Sequence, residues 1–366
     1  MRFRCGIDNP DLEGKLRGLT VRLVSSSTGF SLDGRPSYEK IAGICHLKGL
    51  LAPEHGYFGS SDAGEDVDSF IDPVSGLEVR SLYSSKSQDI PDSAFSDIDA
   101  VVYDIQDVGV RCYTYISTLL LLLKKASQLH KAVIVLDRPN PLGRMLDGPV
   151  LEGGFESFVG CYSLPLRYGL TPGEFALLAK KELGLACELE IVRCLDWDPC
   201  LLFSDYQRAW VMSSPAIPGF ENALSYSGFC LLEAANLSEG RGTGRPFLLF
   251  GAPWIDARKL TEKLNSKSLG VLFCPAWFTP SASKFKDIPC QGSQILIEDQ
   301  HAFLGVKACL ETLRTVRDMY PQFTLLDEGK KLHRLLGGPW GLDDELPSSY
   351  DYDRRRQEAL LYKESI

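Results

Sequence analysis

The stretch that decides the fold reads AVVYDIQDVG at residues 100–109. Its first four residues are apolar or aromatic with no alternation, which is typical of a strand buried on both faces. A second stretch of this kind, AVIVLDRPNP, occupies residues 132–141, and residues 115–129 between the two have the length and apolar content of a helix. This order of strand, helix and strand predicts a parallel sheet covered on both faces.

Further short apolar segments extend this sheet. Strands are predicted at residues 20–24, 47–52 and 77–82, and a short helix at residues 38–46. The fold class of the first half is therefore predicted to be α/β, a doubly wound and mostly parallel sheet with helices on both faces.

The second half of the chain is less regular. Helices are predicted at residues 172–183, 256–264 and 302–319, and strands at residues 188–193, 269–273 and 293–297. The pattern indicates a smaller α+β domain that closes over the first. The proline-containing residues 213–219 divide the chain, so the predicted domains are residues 1–212 and residues 213–366.

Composition excludes several classes of protein. The 366 residues carry 39 basic and 48 acidic side chains, and this net charge of −9 argues against duplex nucleic acid or an anionic membrane as a partner. Residues 116–123, the longest apolar stretch, are too few to span a bilayer, and the first residues lack the apolar segment of a signal peptide. We therefore expect a cytoplasmic protein. Its 11 scattered cysteines, without a CxxC pair or zinc spacing, predict reduced thiols and no metal site.

Polar side chains directly follow three of the predicted strands. Because the carboxyl ends of parallel strands lie along one edge of a sheet, where ligands bind, these side chains predict a polar ligand site. The candidates are Glu54, His55, Asp104, Asp107, Arg111, Asp137, Arg138 and Asn140.

Glu54 is the leading candidate for a catalytic group. A glutamate that follows an apolar strand and a proline is either a general acid kept protonated by apolar surroundings or a carboxylate that caps the next turn. His55 either assists Glu54 or binds substrate, or it is an ordinary loop histidine. For the other candidates a structural role, such as an ion pair between Asp107 and Arg111, is as plausible as a functional one.

A glycine-rich segment in the second half, NLSEGRGTGRPF at residues 236–247, supplies two more candidates, Glu239 and Arg241. The backbone N–H and guanidinium groups of such a segment bind phosphate or carboxylate, and the alternative is a flexible loop between domains. The segment contains neither a GxxxxGK[ST] nor a GxGxxG motif, so we expect no nucleotide cofactor, and the chain has no GxSxG motif of a serine hydrolase.

Several short motifs occur in a characteristic order. They are PEHG at residues 53–56, DIQDVGVR at 104–111, DRPNPLG at 137–143, LSEGRGT at 237–243 and GAPW at 251–254. In these motifs the chain resembles the DUF1343 family, also called the YbbC or NamZ family, over nearly its whole length. The resemblance implies a Rossmann-like domain and a smaller second domain with the site in the cleft between them. It also implies, without a cofactor, removal of terminal N-acetylmuramic acid from the non-reducing end of peptidoglycan fragments, with Glu54 of the PEHG motif as the proposed catalytic residue.

Cleavage of a glycoside needs an acid at the leaving oxygen and a second group on the other face of the sugar. Candidates for the second group are Glu239, Asp104 and Asp107, or the acetamido group of the substrate itself. A muramic sugar also carries a lactyl carboxylate, and the arginines available to bind it are Arg111, Arg138 and Arg241.

Two positions depart from the family pattern. Ser26 lies in a stretch where the family usually has Asn, and Ala216 replaces the Asn of a PSPNMP-like motif. Each lost amide removes a potential substrate hydrogen bond, worth about 0.5–1.5 kcal/mol. A sugar-binding protein of the same fold that has lost catalysis is therefore the alternative function.

Overall fold

The computed structural model describes residues 2–54, 56–58, 69–82 and 89–363. In these ranges the first half contains the strands β1 (Thr20–Ser25), β2 (His46–Ala52), β3 (Phe70–Ile71), β4 (Glu78–Ser81), β5 (Ala100–Asp104), β6 (Ala132–Leu136) and β7 (Leu189–Val192). They form one sheet in the order β3-β4-β2-β1-β5-β6-β7, in which β3 is antiparallel to its neighbour and the other pairs are parallel.

Burial explains why the strands lack alternation. All five residues of β5, the last five of β1 and the last four of β6 are buried, so both faces of the sheet centre are covered. The helices of this half are α1 (Leu12–Leu16), α2 (Ser37–Ala42), α3 (Tyr115–Leu129) and α4 (Pro172–Glu182). Because α3 connects β5 to β6 and packs on both β6 and α4, the predicted α/β fold class is confirmed.

Parallel pairing brings the carboxyl ends of the strands to one edge. Ser25 of β1 pairs with Asp104 of β5, and Val24 of β1 pairs with Leu51 of β2. The chain that leaves β2 and the chain that leaves β5 therefore start at the same level of the sheet. This alignment places Glu54, in the turn after β2, close to Thr114 at the beginning of α3.

A smaller antiparallel sheet lies in the second half. Its strands β8 (Leu249–Ala252), β9 (Val271–Phe278) and β10 (Cys290–Ile297) are arranged with β10 in the middle. The helices here are α5 (Phe220–Phe229), α6 (Ala257–Asn265), α7 (Gly305–Met319) and α8 (Lys330–Leu336). A Cβ atom added to Gly228 of α5 would lie 1.9 Å from the carbonyl carbon of Gly305, so only glycine permits the close contact of α5 with α7. The expected smaller α+β unit is confirmed.

The end of the chain returns to the first half. Helix α9 (Tyr350–Arg356) brings the hydroxyl of Tyr352 to the carbonyl oxygen of Tyr168, to which it donates at 2.8 Å. The hydroxyl of Tyr362 donates to the Asp137 carboxylate at 2.6 Å. A domain boundary at residue 213 therefore separates the two sheets, but helix α9, which follows the boundary, packs on the first half.

In the part of the chain that the structure describes, every helix is too short or too polar to cross a bilayer. Across the same ranges, no three His, Cys, Asp or Glu side chains are grouped closely enough to hold a metal ion. All 11 cysteines carry free thiols.

Candidate active site

Glu54 lies in the turn after β2, with its side chain half-buried. The hydroxyl of Thr114, the residue before α3, donates a hydrogen bond to the Glu54 carboxylate. Because these residues follow β2 and β5, the bond joins two loops that leave the same edge of the sheet. The orientation of Glu54 is thus tied to the start of a largely buried helix.

A small cavity of about 90 Å³ lies beside Glu54, between the two halves of the chain. The first half contributes Glu54, Cys112, Tyr113, Thr114 and Val159 to its lining, and the rest of the chain contributes Ser214, Ala216, Ile217, Tyr226, Glu233, Arg241 and Phe247. The glutamate is therefore enclosed in a cleft rather than placed on an open surface.

Aromatic rings form one wall of this cavity. The ring of Tyr113 meets that of Tyr226 edge-on at 6.2 Å, and Tyr226 in turn meets Phe247 at 4.7 Å. Burial raises the pKa of Tyr113 to about 12, so its hydroxyl stays protonated at neutral pH. These rings give the cavity an apolar wall with polar edges, which suits a sugar ring.

A larger cavity of about 420 Å³ adjoins the smaller one. Ala216, Glu233 and Arg241 line both cavities, which makes them one continuous cleft. The larger cavity adds Glu239, Lys284 and Lys331 among others. With three cationic and two anionic side chains, the charges of its lining sum to one positive charge.

Arg241 lies at the junction of the two cavities. Its guanidinium donates to the Glu233 carboxylate at 2.9 Å and lies 3.4 Å from the Glu239 carboxylate. It also lies over the ring of Phe247 at 5.1 Å, which adds a cation–π contact. The guanidinium is held in place by these contacts before any ligand binds.

Lys284 has a structural role on the floor of the larger cavity. Its ammonium group donates to the carbonyl oxygens of Leu232 and Ala235 at 3.0 and 2.8 Å and lies 3.0 Å from the Glu239 carboxylate. These three contacts match the three N–H bonds of an ammonium group. Burial lowers the pKa of Lys284, against the opposing effect of the Glu239 charge.

The structure brings three of the predicted site residues to this cleft, namely Glu54, Glu239 and Arg241. His55 lies outside the described residues. The other candidates are buried in the interior of the first half, where each has contacts of its own.

Asp104, Arg138 and Asp137 hold the sheet edge together. The guanidinium of Arg138 donates to both carboxylate oxygens of Asp104, at 2.6 and 2.9 Å, and both side chains are buried. Asp137 accepts hydrogen bonds from the hydroxyls of Thr171 and Tyr362, and burial raises the pKa of Asp137 to about 7. The structure thus places these three predicted substrate-binding residues against protein partners and not among the lining residues of the cleft.

Arg111 is likewise a structural residue. Its guanidinium is fully buried and donates to the carbonyl oxygens of Pro149, Leu164 and Leu335. The expected ion pair with Asp107 is not among its contacts in the described ranges. Arg111 thus joins the first half to α8, and the structure does not bring this predicted carboxylate anchor to the described lining of the cleft.

Asn140 and Asp107 also bind within the protein. Asn140 donates to the carbonyl oxygen of Leu170 and accepts from the backbone N–H of Leu142, both at 2.9 Å. Asp107 accepts from the Tyr168 hydroxyl at 2.6 Å, and burial raises the pKa of Asp107 to about 6. Both residues stabilise the loops at the sheet edge rather than line the cleft.

Three charged residues of the cleft were not among the sequence candidates: Glu233, Lys284 and Lys331. A signal existed for Glu233, which is the single charged residue in the apolar stretch FCLLEAA at residues 229–235. The two lysines lie in segments with other basic residues, from which the sequence does not distinguish them.

The two departures from the family pattern lie in different places. The Ser26 hydroxyl is buried 2.8 Å from the hydroxyl of Thr28 and belongs to a loop at the sheet edge. Ala216 lines both cavities of the cleft. Of the two departures, only Ala216 directly shapes the space beside Glu54.

Comparison with known proteins identifies the family. Residues 21–221 match the family model "Exo-beta-N-acetylmuramidase NamZ, N-terminal", and residues 224–362 match its C-terminal counterpart. The chain is 38% identical over 346 residues to the peptidoglycan β-N-acetylmuramidase NamZ of Bacillus subtilis, covering 93% of this chain and 83% of that protein.

Two solved structures of DUF1343 family proteins from Bacteroides fragilis share the fold. The first has a TM-score of 0.87 at 31% identity and covers 99% of both chains. The second has a TM-score of 0.73 at 21% identity over 100% of both chains, and it supports the fold alone. With both domain models matched in order and a relative at 38% identity, the chain belongs to the NamZ exo-β-N-acetylmuramidase family of glycosidases.

Proposed function

We propose that this protein removes terminal N-acetylmuramic acid from the non-reducing end of peptidoglycan-derived fragments. The observation that carries the proposal is that Glu54 and Arg241 line the same cavity between the two halves. The carboxyl group suits protonation of the leaving oxygen, and the guanidinium suits an acidic sugar.

Glu54 is the proposed general acid. The hydrogen bond from Thr114 orients its carboxyl group, and the apolar side chains of Val159 and Ile217 line the same cavity. In the reaction Glu54 gives its proton to the glycosidic oxygen as the bond to the anomeric carbon breaks.

Arg241 and Lys331 are the proposed ligands of the lactyl carboxylate. Lys284 already directs its three N–H bonds at protein partners, whereas Lys331 is partly exposed on α8 and lies 3.9 Å from Glu233. Guanidinium and ammonium groups bind carboxylates through charge-assisted hydrogen bonds. The local positive charge accounts for an acidic substrate in a protein with a net charge of −9.

Ala216 favours a second candidate function. Since it replaces a usual Asn and lines both cavities, the cleft has lost an amide side chain beside Glu54. A protein that still binds the sugar but no longer cleaves it is the alternative.

A chromogenic β-N-acetylmuramide distinguishes the two functions. We expect the wild type to release the chromophore and Glu54→Gln to lower kcat by roughly 10²- to 10⁴-fold, the usual contribution of a general acid. The matching β-N-acetylglucosaminide, which lacks the lactyl group, is expected to be a poorer substrate. A wild type that binds the muramide by calorimetry without releasing chromophore would establish the binding protein instead.

We further propose that the protein acts in the cytoplasm, in the recycling of cell-wall fragments. Its 11 cysteines form no disulfide, which suits a reducing compartment. Fractionation of cells with an antibody to the chain tests this, and recovery in the extracellular or periplasmic fraction would contradict it.

A further inference from the structure

If Glu54 protonates the leaving oxygen, hydrolysis still needs a second group on the opposite face of the sugar. A second carboxylate usually does this, either by activating water or by attacking the anomeric carbon. Among the described lining residues of the smaller cavity, Glu54 and Glu233 are the two that carry carboxylates. Glu233 alone of these two also lines the larger cavity.

The backbone around Glu233 is rigid. It lies in a 3-10 helix, Cys230–Ala234, in which the other four residues are buried. Lys284 donates to the carbonyl oxygens of Leu232 and Ala235, on either side of Glu233, and so fixes the backbone there. A single outward-facing carboxylate on a buried and clamped turn is pre-positioned toward the cleft.

The surroundings of Glu233 orient its carboxylate and leave it open to water. The guanidinium of Arg241 donates to this carboxylate at 2.9 Å, and the ammonium of Lys331 lies 3.9 Å away. The side chain of Glu233 is 22% exposed and lines the larger cavity, so a water molecule has access to it. The carboxylate is therefore both oriented and accessible to water at the junction of the two cavities.

The other carboxylates considered for this role are engaged elsewhere. Asp104 is fully buried in its ion pair with Arg138, and Asp107 is buried against Tyr168. Glu239 is 2% exposed and is held by Lys284, by Arg241 and by the Ser283 hydroxyl at 3.0 Å. Glu239 orients the cations of the cleft and is a positioning residue.

We infer that Glu233 is the second catalytic carboxylate, a general base that activates the attacking water. Water gives a proton to Glu233 as its oxygen bonds to the anomeric carbon. The bond to the aglycone breaks, its electron pair stays on the leaving oxygen, and that oxygen takes the proton of Glu54. One water is consumed, and proton exchange with solvent restores both carboxyl groups. Attack from the face opposite the aglycone inverts the anomeric carbon.

Kinetics of Glu233→Gln with a chromogenic β-N-acetylmuramide test this inference, which rests on the proposed function. We expect kcat to fall roughly 10²- to 10⁴-fold. Sodium azide, which attacks without a base, should restore turnover and yield the α-glycosyl azide. Glu239→Gln should not respond to azide, and Glu221→Gln, in an exposed ion pair with Arg245, should behave as the wild type.

Proton NMR of the wild-type reaction gives an independent readout, and the α-anomer should form first. A Glu233→Gln variant within 10-fold of the wild type, or azide rescue confined to Glu239→Gln, would overturn the assignment of Glu233. The β-anomer as first product would overturn its role as base. A wild type without activity on the muramide would instead reject the proposed function, so the two failures are distinguishable. Thermal unfolding of each variant separates loss of catalysis from loss of fold.

Discussion

The Thr114 hydroxyl donates a hydrogen bond to the Glu54 carboxylate and so links the loop after β2 to the residue that precedes α3. Neither residue is near the other in sequence, and the contact exists because their two strands end at one edge of the sheet. The bond makes Thr114 a positioning residue for the proposed acid.

Removal of this hydroxyl should impair catalysis more than folding. We expect Thr114→Val to lower kcat on the chromogenic muramide about 10-fold, since one hydrogen bond contributes about 1 kcal/mol and its loss also frees the carboxyl group to rotate. Thr114→Ser keeps the hydroxyl and should stay within about 3-fold of the wild type. An unchanged kcat in the Val variant, or an equal loss of kcat in the Val and Ser variants, would show that the Thr114 hydroxyl does not orient Glu54.

Lys331 should set the preference for an acidic sugar. We expect Lys331→Met to raise KM for the muramide about 10-fold, which corresponds to about 1.4 kcal/mol of lost binding, and to leave KM for the glucosaminide unchanged. Lys330→Met is a matched control, because Lys330 is the neighbour of Lys331 on α8 and forms an exposed ion pair with Glu328 at 3.5 Å. Equal effects on the two substrates would argue against a contact with the lactyl carboxylate.

Ala216 should tolerate the amide that the family usually has. Because Ala216 lines both cavities, Ala216→Asn adds a donor and an acceptor beside the sugar site. We expect kcat/KM for the muramide to rise up to about 10-fold, the equivalent of one hydrogen bond of about 0.5–1.5 kcal/mol. Ala216→Leu fills the same space without polar atoms and should lower activity. A loss of activity in both variants would mean that the cleft of this chain is built around the smaller residue.

Asp107 should make the folded state less stable as the pH rises from about 4 to about 6. Its pKa is raised to about 6 by burial, so the folded state binds the proton more tightly than the unfolded state does. The stabilisation is fully present below the ordinary carboxyl pKa of about 3.9 and is lost as the pH rises through about 6, by up to about 3 kcal/mol.

Urea unfolding of the wild type and of Asp107→Asn between pH 4 and pH 7 measures this effect. The variant should show a flatter dependence of the unfolding free energy on pH across that interval. Asp318→Asn is the control, since Asp318 is exposed and pairs with Arg317. Identical slopes for wild type and Asp107→Asn would contradict a raised pKa in the folded protein.

The elements predicted best are those that the local sequence specifies on its own. The helix α3 and the strand β6 begin and end at the predicted residues, because an uninterrupted apolar stretch and its polar flanks define them. The helix α4 begins at Pro172 after Thr171, whose side chain and Glu174 form a capping box. The strand β8 and the helix α5 were not predicted, since β8 is buried throughout and α5 is buried at nearly every position, so neither shows a contrast between two faces.

In the candidate site, too, some residues could be predicted from local sequence and others could not. The motif around Glu54 and the glycine-rich segment with Glu239 and Arg241 predicted three of the cleft residues, because unusual residues at strand ends and in loops stand out in sequence. The same reasoning from sequence also selected Arg111, Arg138 and Asn140. Their polar groups form hydrogen bonds with buried carbonyl and carboxylate oxygens. A sequence does not tell a charged residue that faces a cleft from one that faces a buried partner.

The sequence by itself determined the parallel sheet, the family and the choice of Glu54 as a candidate, since each depends on hydrophobic pattern or on short motifs in a fixed order. Only the tertiary structure decided which charges share the cleft with Glu54. Glu233, Arg241 and Lys331 come from three separate segments, and the packing of the 3-10 helix Cys230–Ala234, the glycine-rich segment and α8 brings the charges of Arg241 and Lys331 within 4 Å of Glu233. Contacts between such distant segments arise from burial of the core as a whole, and so no local pattern records them.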